Sequence, residues 1–274
     1  MLNSHIHLDF DNVNSPSSST TGVIVPSTGK DNWDNVIACY SKDNHSYYSL
    51  GIHPWFIDDH QMIDLYSLEV LIEEKKPIAI GECGLDYVKV KDRNKQRFFF
   101  DEQVALATRF DLPLIIHSVQ ATEDVTDLLK SYSKSRGVIH AYSGSLQQAE
   151  DLMKINFSFG FGNALVNPHA YKLHDIVKFL PIESIVIETD DHKNSDELIQ
   201  VAERVARIKK IPVEQNVFGL PVFKVSEAGD FSLTHNGEYR NGWISMQMIA
   251  LIATIVLALP AGRKRSEVPL EELV

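Results

Sequence analysis

Short apolar runs alternate with amphipathic stretches eight times before Lys210, and that alternation constrains the fold more than any other feature of the chain. The runs are Leu2 to His7, Gly22 to Pro26, Tyr47 to Ile52, Ile78 to Gly81, Leu112 to His117, Gly137 to His140, Phe157 to Phe161 and Ser184 to Glu188. Each has the length and the apolar or β-rich texture of a strand. Between most of them apolar residues recur at helical intervals, clearest in Leu65, Leu68 and Ile72, in Phe100, Val104 and Ala107, and in Leu173, Ile176, Val177 and Leu180. Leu198, Val201, Ala202 and Val205 repeat that spacing after the eighth run. Parallel strands need a crossover of a dozen or more residues, so eight such units predict an α/β fold, a (β/α)8 TIM barrel over residues 1–213. The segment Leu8 to Thr21 is the exception. Its Ser-Pro-Ser-Ser-Ser-Thr-Thr core reads as loop, so the first outer helix is expected to be absent or one turn long.

Composition sets outer bounds on function. The 274 residues are 44% hydrophobic, ample for a barrel core. A net charge of −11 opposes a broad electrostatic grip on nucleic acid. Divalent ions in a carboxylate site would still supply local positive charge that a formal count omits. Two cysteines, Cys39 and Cys83, make neither a disulfide framework nor a paired zinc spacing. A reducing, cytoplasmic setting is therefore expected, and the Met-Leu-Asn-Ser-His start has no secretory pattern.

Residues 214–274 form a divergent tail. Gly219 to Gly242 is polar and turn-rich, and the apolar segment 246–260 is followed by Arg263, Lys264 and Arg265. Its uninterrupted apolar run falls short of the ~20 residues that cross a bilayer, and basic residues after a span would leave the barrel outside the cytoplasm. A packed or partner-bound helix is the first expectation. Membrane association, and a segment foreign to the barrel through fusion or frame change, are the alternatives.

Six residues, His5, His7, Glu82, His117, His140 and Asp190, stand at or just past the C-terminal ends of the runs. In a parallel barrel those ends form one mouth, where active sites sit. His5 and His7 are two apart on a strand, so both imidazoles point the same way and can grip one ion. Glu82 brings a carboxylate whose two oxygens can bridge two ions. Singly, each residue has an ordinary explanation: polar strand ends, a turn glutamate, satisfied core histidines. Together they predict a metal centre, with Asp190 both ligand and acceptor of the attacking water's proton. His53, Asp86 and Tyr87 are candidate substrate contacts, and Trp55 a stacking platform. A structural turn explains His53 and Trp55 as well, and turn capping explains Asp86. Lys89, Lys91, Arg93, Lys95 and Arg97 form the one basic stretch, either a phosphate guide or a solvated face.

The segments Ser4-His5-Ile6-His7-Leu8-Asp9, Gly51-Ile52-His53-Pro54, Ile80-Gly81-Glu82-Cys83-Gly84-Leu85-Asp86-Tyr87, Leu112-Pro113-Leu114-Ile115-Ile116-His117-Ser118, His140-Ala141-Tyr142-Ser143-Gly144 and Glu188-Thr189-Asp190 together resemble the TatD-type metal-dependent hydrolases. Gln96, Phe100, Gln103 and Ala107 fall where that family has a glutamine-bearing helix, and the resemblance runs to about Val213. It implies an amidohydrolase-class TIM barrel with His5, His7, Glu82 and Asp190 around one ion and Glu82, His117 and His140 around a second. The ions implied are Mg2+ or Mn2+, with Zn2+ an alternative, and no organic cofactor. The activity implied is a deoxyribonuclease, often a 3′-5′ exonuclease, with DNA, or RNA in its place, as partner and substrate. Catalysis then rests on Glu82 and Asp190.

The chain departs from the family pattern at several points. Val119 and Gln120 stand where an arginine, a natural phosphate clamp, usually follows the His-Ser pair. Asp191 and His192 replace a small residue and proline, and Asn3 replaces an acidic residue. No closing helix is recognisable after Val213. The missing arginine keeps two alternatives in view, because fold does not fix substrate. One is a hydrolase of another ester or amide, such as an aminoacyl-tRNA bond. The other is a partner-docked subunit of low intrinsic activity.

Overall fold

The computed structural model describes residues 2–7, 22–40, 46–191, 197–211, 222–225, 231–235 and 238–239, with backbone only at 191 and from 222 onward. The loop expected over Leu8 to Thr21 and the apolar segment 246–260 lie outside the described residues.

Ten short strands build the barrel. They are β1 (Leu2–Asn3), β2 (Ile6–His7), β3 (Gly22–Pro26), β4 (Ser46–Leu50), β5 (Ala79–Asp86), β6 (Leu114–Val119), β7 (Gly137–Ile139), β8 (Phe157–Phe161), β9 (Ile185–Ile187) and β10 (Asp190–Asp191). Eight of them form one parallel sheet in the order β1-β3-β4-β5-β6-β7-β8-β9. The ring closes where β10 pairs in parallel with β2, with Asp190 opposite Ile6, and where the Ser4 amide donates to the Ile187 carbonyl at 3.1 Å. The first and last predicted strands are thus each split in two. Ser4 and His5 interrupt one, and Glu188 and Thr189 the other.

Period-two alternation separates the lumen from the helix-facing surface. Leu2, Ile24, Tyr47, Ala79, Ile115, Val138 and Val186 come from seven different strands and pack with Ile78 in one cluster. Only the inside of a closed barrel lets seven strands contribute to one such group, so this is the floor of the lumen. The alternate residues Val25, Leu50, Leu114, Ile116, Ile139 and Phe159 belong to the larger cluster beneath the helices. Those helices are α1 (Trp33–Ala38), α2 (Met62–Lys75), α3 (Arg93–Phe110), α4 (Thr122–Lys130), α5 (Leu146–Lys154), α6 (Tyr171–Phe179) and α7 (Glu197–Lys209). The residues whose spacing predicted α2 (Leu65, Leu68, Ile72), α3 (Phe100, Val104, Ala107) and α7 (Leu198, Val201, Ala202, Val205) are all buried. Gln96 and Gln103 of α3 are also buried, and their amides bond backbone groups of Asp86 and Ile52. In the tail, Val222–Val225, Phe231–His235 and Glu238–Tyr239 pair as a small antiparallel sheet. No helix among the described residues is long and apolar enough to cross a membrane.

The register of β5 against β6 shifts between Ile80 and Cys83, a bulge that re-aims the intervening Glu82. Gly84 follows with φ +136°, and a Cβ there would fall 2.0 Å from the His117 carbonyl oxygen. Both the backbone angle and the approach of β6 require glycine. Gly84→Ala should destabilise the barrel by about 2 kcal/mol or more through strain and overpacking. A urea unfolding midpoint equal to that of the parent would refute this.

Candidate metal centre

Glu82 leaves the bulge of β5 with its carboxylate 1% exposed, and its two oxygens meet different partners. Oε2 lies 3.3 Å from His5 Nε2 and 3.2 Å from His7 Nε2. Oε1 lies 3.1 Å from His53 Nε2, 3.0 Å from His117 Nδ1 and 2.9 Å from His140 Nε2. Asp190 Oδ1 joins the first group, 3.4 Å from His5 Nε2 and 3.9 Å from His7 Nε2. All six residues at the strand ends therefore converge on one point.

Strand geometry explains the convergence. His117 and His140 follow the lumen residues Ile115 and Val138 by two positions, so they point inward at the C-terminal rim. The His5 ring stacks on His140 with centroids 4.1 Å apart. Asp190 is carried past the rim by a left-handed φ of +61° while its amide donates to the His5 carbonyl at 3.1 Å. Asn3 ties the same seam: its Oδ1 accepts from the Thr189 amide at 3.2 Å and its Nδ2 donates to Thr189 Oγ1 at 2.8 Å. An aspartate there would lack the donor. What reads in sequence as the loss of a carboxylate is here a two-way clasp at the barrel seam.

The donors fit a divalent cation. His5 Nε2 and His7 Nε2 stand 3.1 Å apart, and His117 Nδ1 and His140 Nε2 stand 3.2 Å apart. Ligands held ~2.1 Å from one ion lie ~3.0 Å apart at right angles and ~3.4 Å apart in a tetrahedron. Ring nitrogens facing each other at this range repel unless a proton or a cation lies between them. The donors are imidazole and carboxylate only, since buried Cys83 turns its sulfur towards the Ile115 carbonyl.

Burial pushes the Glu82 carboxyl up, but His140, His53 and His5 and the bond from His117 outweigh it and hold the group well below the usual carboxylate range. Burial lowers His140, yet Glu82 and Glu188 raise it well above the ordinary histidine value. His5 is lowered by burial and by His140.

Glu188 is a site residue that the sequence reading left without a role. It is fully buried, its Oε1 accepts from the Ala141 amide at 2.6 Å, and the same oxygen lies 3.4 Å from His140 Nδ1. Gly160 of β8 makes room, because a Cβ there would meet Glu188 Oε2 at 2.2 Å. The signal was available, since Glu188 follows the lumen residue Val186 by two. A cavity of about 390 Å3 opens beside it, lined by Tyr142, Ser143, Asn163, Thr189, Asp190 and Glu197 among others.

The proposed substrate contacts separate. His53 Nδ1 accepts from the Trp55 amide at 3.0 Å, so in the neutral ring Nε2 carries the proton and donates to Glu82. Asp86 does two jobs. Its Oδ1 caps the turn by accepting from Val88 and Lys89 amides, both at 2.8 Å, and its Oδ2 takes the Trp55 indole N–H at 2.6 Å and meets His117 Nε2 at 3.1 Å. Burial raises its pKa, but the bonds from Trp55, Lys89, His117 and Val88 bring it down to about 2. Tyr87 turns its hydroxyl to Asp124 on α4, and the Arg93 guanidinium covers its ring at 4.1 Å.

A parallel barrel with an imidazole and carboxylate cluster at its C-terminal mouth defines the class of TIM-barrel metal-dependent hydrolases. Within that class, the chain belongs to the TatD family: residues 3–217 match the model of the TatD related DNases. It is 34% identical over 202 residues to the uncharacterized metal-dependent hydrolase YjjV of Escherichia coli (strain K12), covering 69% of this chain and 78% of that protein. It is 34% identical over 183 residues to the uncharacterized metal-dependent hydrolase YabD of Bacillus subtilis (strain 168), covering 62% and 72%. The crystal structure of E. coli YjjV, a TatD homolog, matches with a TM-score of 0.73 at 28% identity, covering 80% of this chain and 94% of that one. A TatD family hydrolase from Entamoeba histolytica shares the fold, with a TM-score of 0.64 at 21% identity over 73% of this chain and 81% of that one.

Two predictions follow from the donor geometry. Glu82 and Glu188 favour the protonated form of His140, and a protonated ring must lose a proton to ligate, so Mn2+ affinity should rise with pH and binding should release protons. Calorimetric titrations in two buffers of different ionisation enthalpy check this, and identical heats would contradict it. Glu188→Gln, which weakens the support behind His140, should lower Mn2+ affinity roughly 10- to 100-fold with little change in thermal midpoint. Unaltered affinity would leave Glu188 without a role in the site.

Proposed function

We propose that this protein is a metal-dependent deoxyribonuclease that removes nucleotides from the 3′ end of a DNA strand. One observation carries the reading: Glu82 divides its oxygens between His5 and His7 on one side and His117 and His140 on the other. That division suits two divalent cations, Mg2+ or Mn2+, held by His5, His7, Glu82 and Asp190 and by Glu82, His117 and His140. When bound, such ions would polarise a phosphodiester and acidify a water.

The chain's own groups supply the rest. Asp190 is the exposed carboxylate of the cluster, with half of its side chain open to solvent, and it can accept the attacking water's proton. His53 donates to Glu82 and fixes the shared carboxylate. Asp86 holds His117 from the other ring nitrogen. The family match to DNases supports DNA as substrate, and the free thiols Cys39 and Cys83 support a cytoplasmic setting.

Single strands labelled at the 3′ or the 5′ end, incubated with the protein and Mg2+ or Mn2+, test the reading directly. Mononucleotides should leave from the 3′ end first. No release from either end would overturn the nuclease and favour another ester or amide. Glu82→Gln should reduce turnover by more than ~100-fold, since it removes the shared ligand. Turnover within a few fold of the parent would remove Glu82 from the mechanism.

A further inference from the structure

Val119 and Gln120 leave the mouth without the arginine that would clamp a phosphate, and the structure places a different cation nearby. The Lys89 ammonium stands 3.6 Å over the centre of the Trp55 ring. Trp55 is anchored twice, through its indole N–H to Asp86 Oδ2 at 2.6 Å and its backbone amide to His53 Nδ1 at 3.0 Å. Asp86 also receives the Lys89 backbone amide at 2.8 Å and touches His117 Nε2 at 3.1 Å. One carboxylate therefore fixes a metal-facing histidine, an aromatic platform and the root of a lysine.

Position singles Lys89 out within its basic stretch: Lys91 and Arg93 also make no ion pair among the described residues, but only Lys89 sits on the ring that Asp86 ties to His117. Lys95 reaches Asp58 at 3.8 Å and Arg97 reaches Asp124 at 4.0 Å. Arg93 lies on the Tyr87 ring. Lys89 has no carboxylate within ion-pair distance among the described residues, so its charge is free for an anion while its position is held by the ring. Trp55 is 42% exposed, which leaves indole surface for an unpaired base beside that anion.

We propose that Lys89, held by Trp55, is the phosphate clamp for single-stranded DNA at this mouth, gripping a backbone phosphate next to the one presented to the metal donors. The inference rests on the nuclease reading and names how that substrate is held. It replaces the missing arginine by a cation from the loop after β5.

Binding of a 5′-fluorescein-labelled, phosphorothioate-linked single-stranded dodecamer to the full chain in Mg2+, followed by anisotropy from roughly 50 to 300 mM salt, tests it. Each phosphate contact on a single strand contributes about 0.7 to the slope of log affinity against log salt. Lys89→Ala should weaken binding about 3- to 10-fold at the lowest salt and reduce that slope by ~0.7. Lys134→Ala, an exposed lysine at the opposite end of the barrel before β7, should leave the slope as in the parent. Equal slopes for Lys89→Ala and the parent overturn the clamp, and so does a strand that does not bind the parent at all. The labelled-strand cleavage assay separates the two failures: 3′ release with an unchanged Lys89→Ala slope rejects the clamp and keeps the nuclease, whereas binding with a Lys89-dependent slope and no release rejects the nuclease alone.

Discussion

One buried carboxylate governs the mouth of this barrel. Taking a charged carboxylate out of water costs several kcal/mol unless paired groups surround it. Glu82 meets that demand with five imidazoles, from His5, His7, His53, His117 and His140, drawn from the ends of different strands or the turns after them. Moving Glu82 by one register step would turn its carboxylate away from the lumen. The bulge between Ile80 and Cys83 and the glycine at position 84 are therefore part of the site, because they set where that carboxylate lands.

The barrel seam serves the same end. A chain that closes a sheet on itself must bring its first and last strands into register, and here the closing pair carries candidate metal donors on both sides. His5 and His7 flank Ile6, and Asp190 pairs opposite Ile6. Asn3 clasps Thr189, so the element that completes the barrel also sets the spacing between two imidazoles and an aspartate. A left-handed φ is sparsely populated by residues other than glycine, with asparagine and aspartate the most tolerant. Asp190 sits there at +61°, where the chain must leave the seam and still present a carboxylate.

Much of this was legible in the sequence because it rests on period. Period two turned His5 and His7 to one side, the ends of apolar runs placed His117 and His140 at the mouth, and period 3.6 found the buried faces of α2, α3 and α7. Strand ends were less legible. β5 runs to Asp86 instead of stopping at Gly81, since Gly84 and the bulge let the backbone keep pairing with β6 through a stretch that reads as turn. Glu188 went without a role because a lone carboxylate on a strand shows no partner in one dimension. Its meaning depends on Gly160, a neighbour across β8 that makes room for it, and on the back of the His140 ring. Tyr87 was grouped with Asp86 by adjacency, but successive residues diverge, and its hydroxyl went to α4.

The absence of the family arginine is also a statement about placement rather than about charge. An arginine after the His-Ser pair would grip phosphate from β6, on the same strand as His117. In this chain the cation enters from the loop after β5, and it is positioned by an aromatic ring rather than by a carboxylate. A lysine steadied by an indole keeps its full charge for an incoming anion, whereas one already paired to an aspartate must first exchange partners. In a chain of net charge −11, whose long-range field repels a polyanion, the proposed clamp would supply locally the recognition that the overall field cannot.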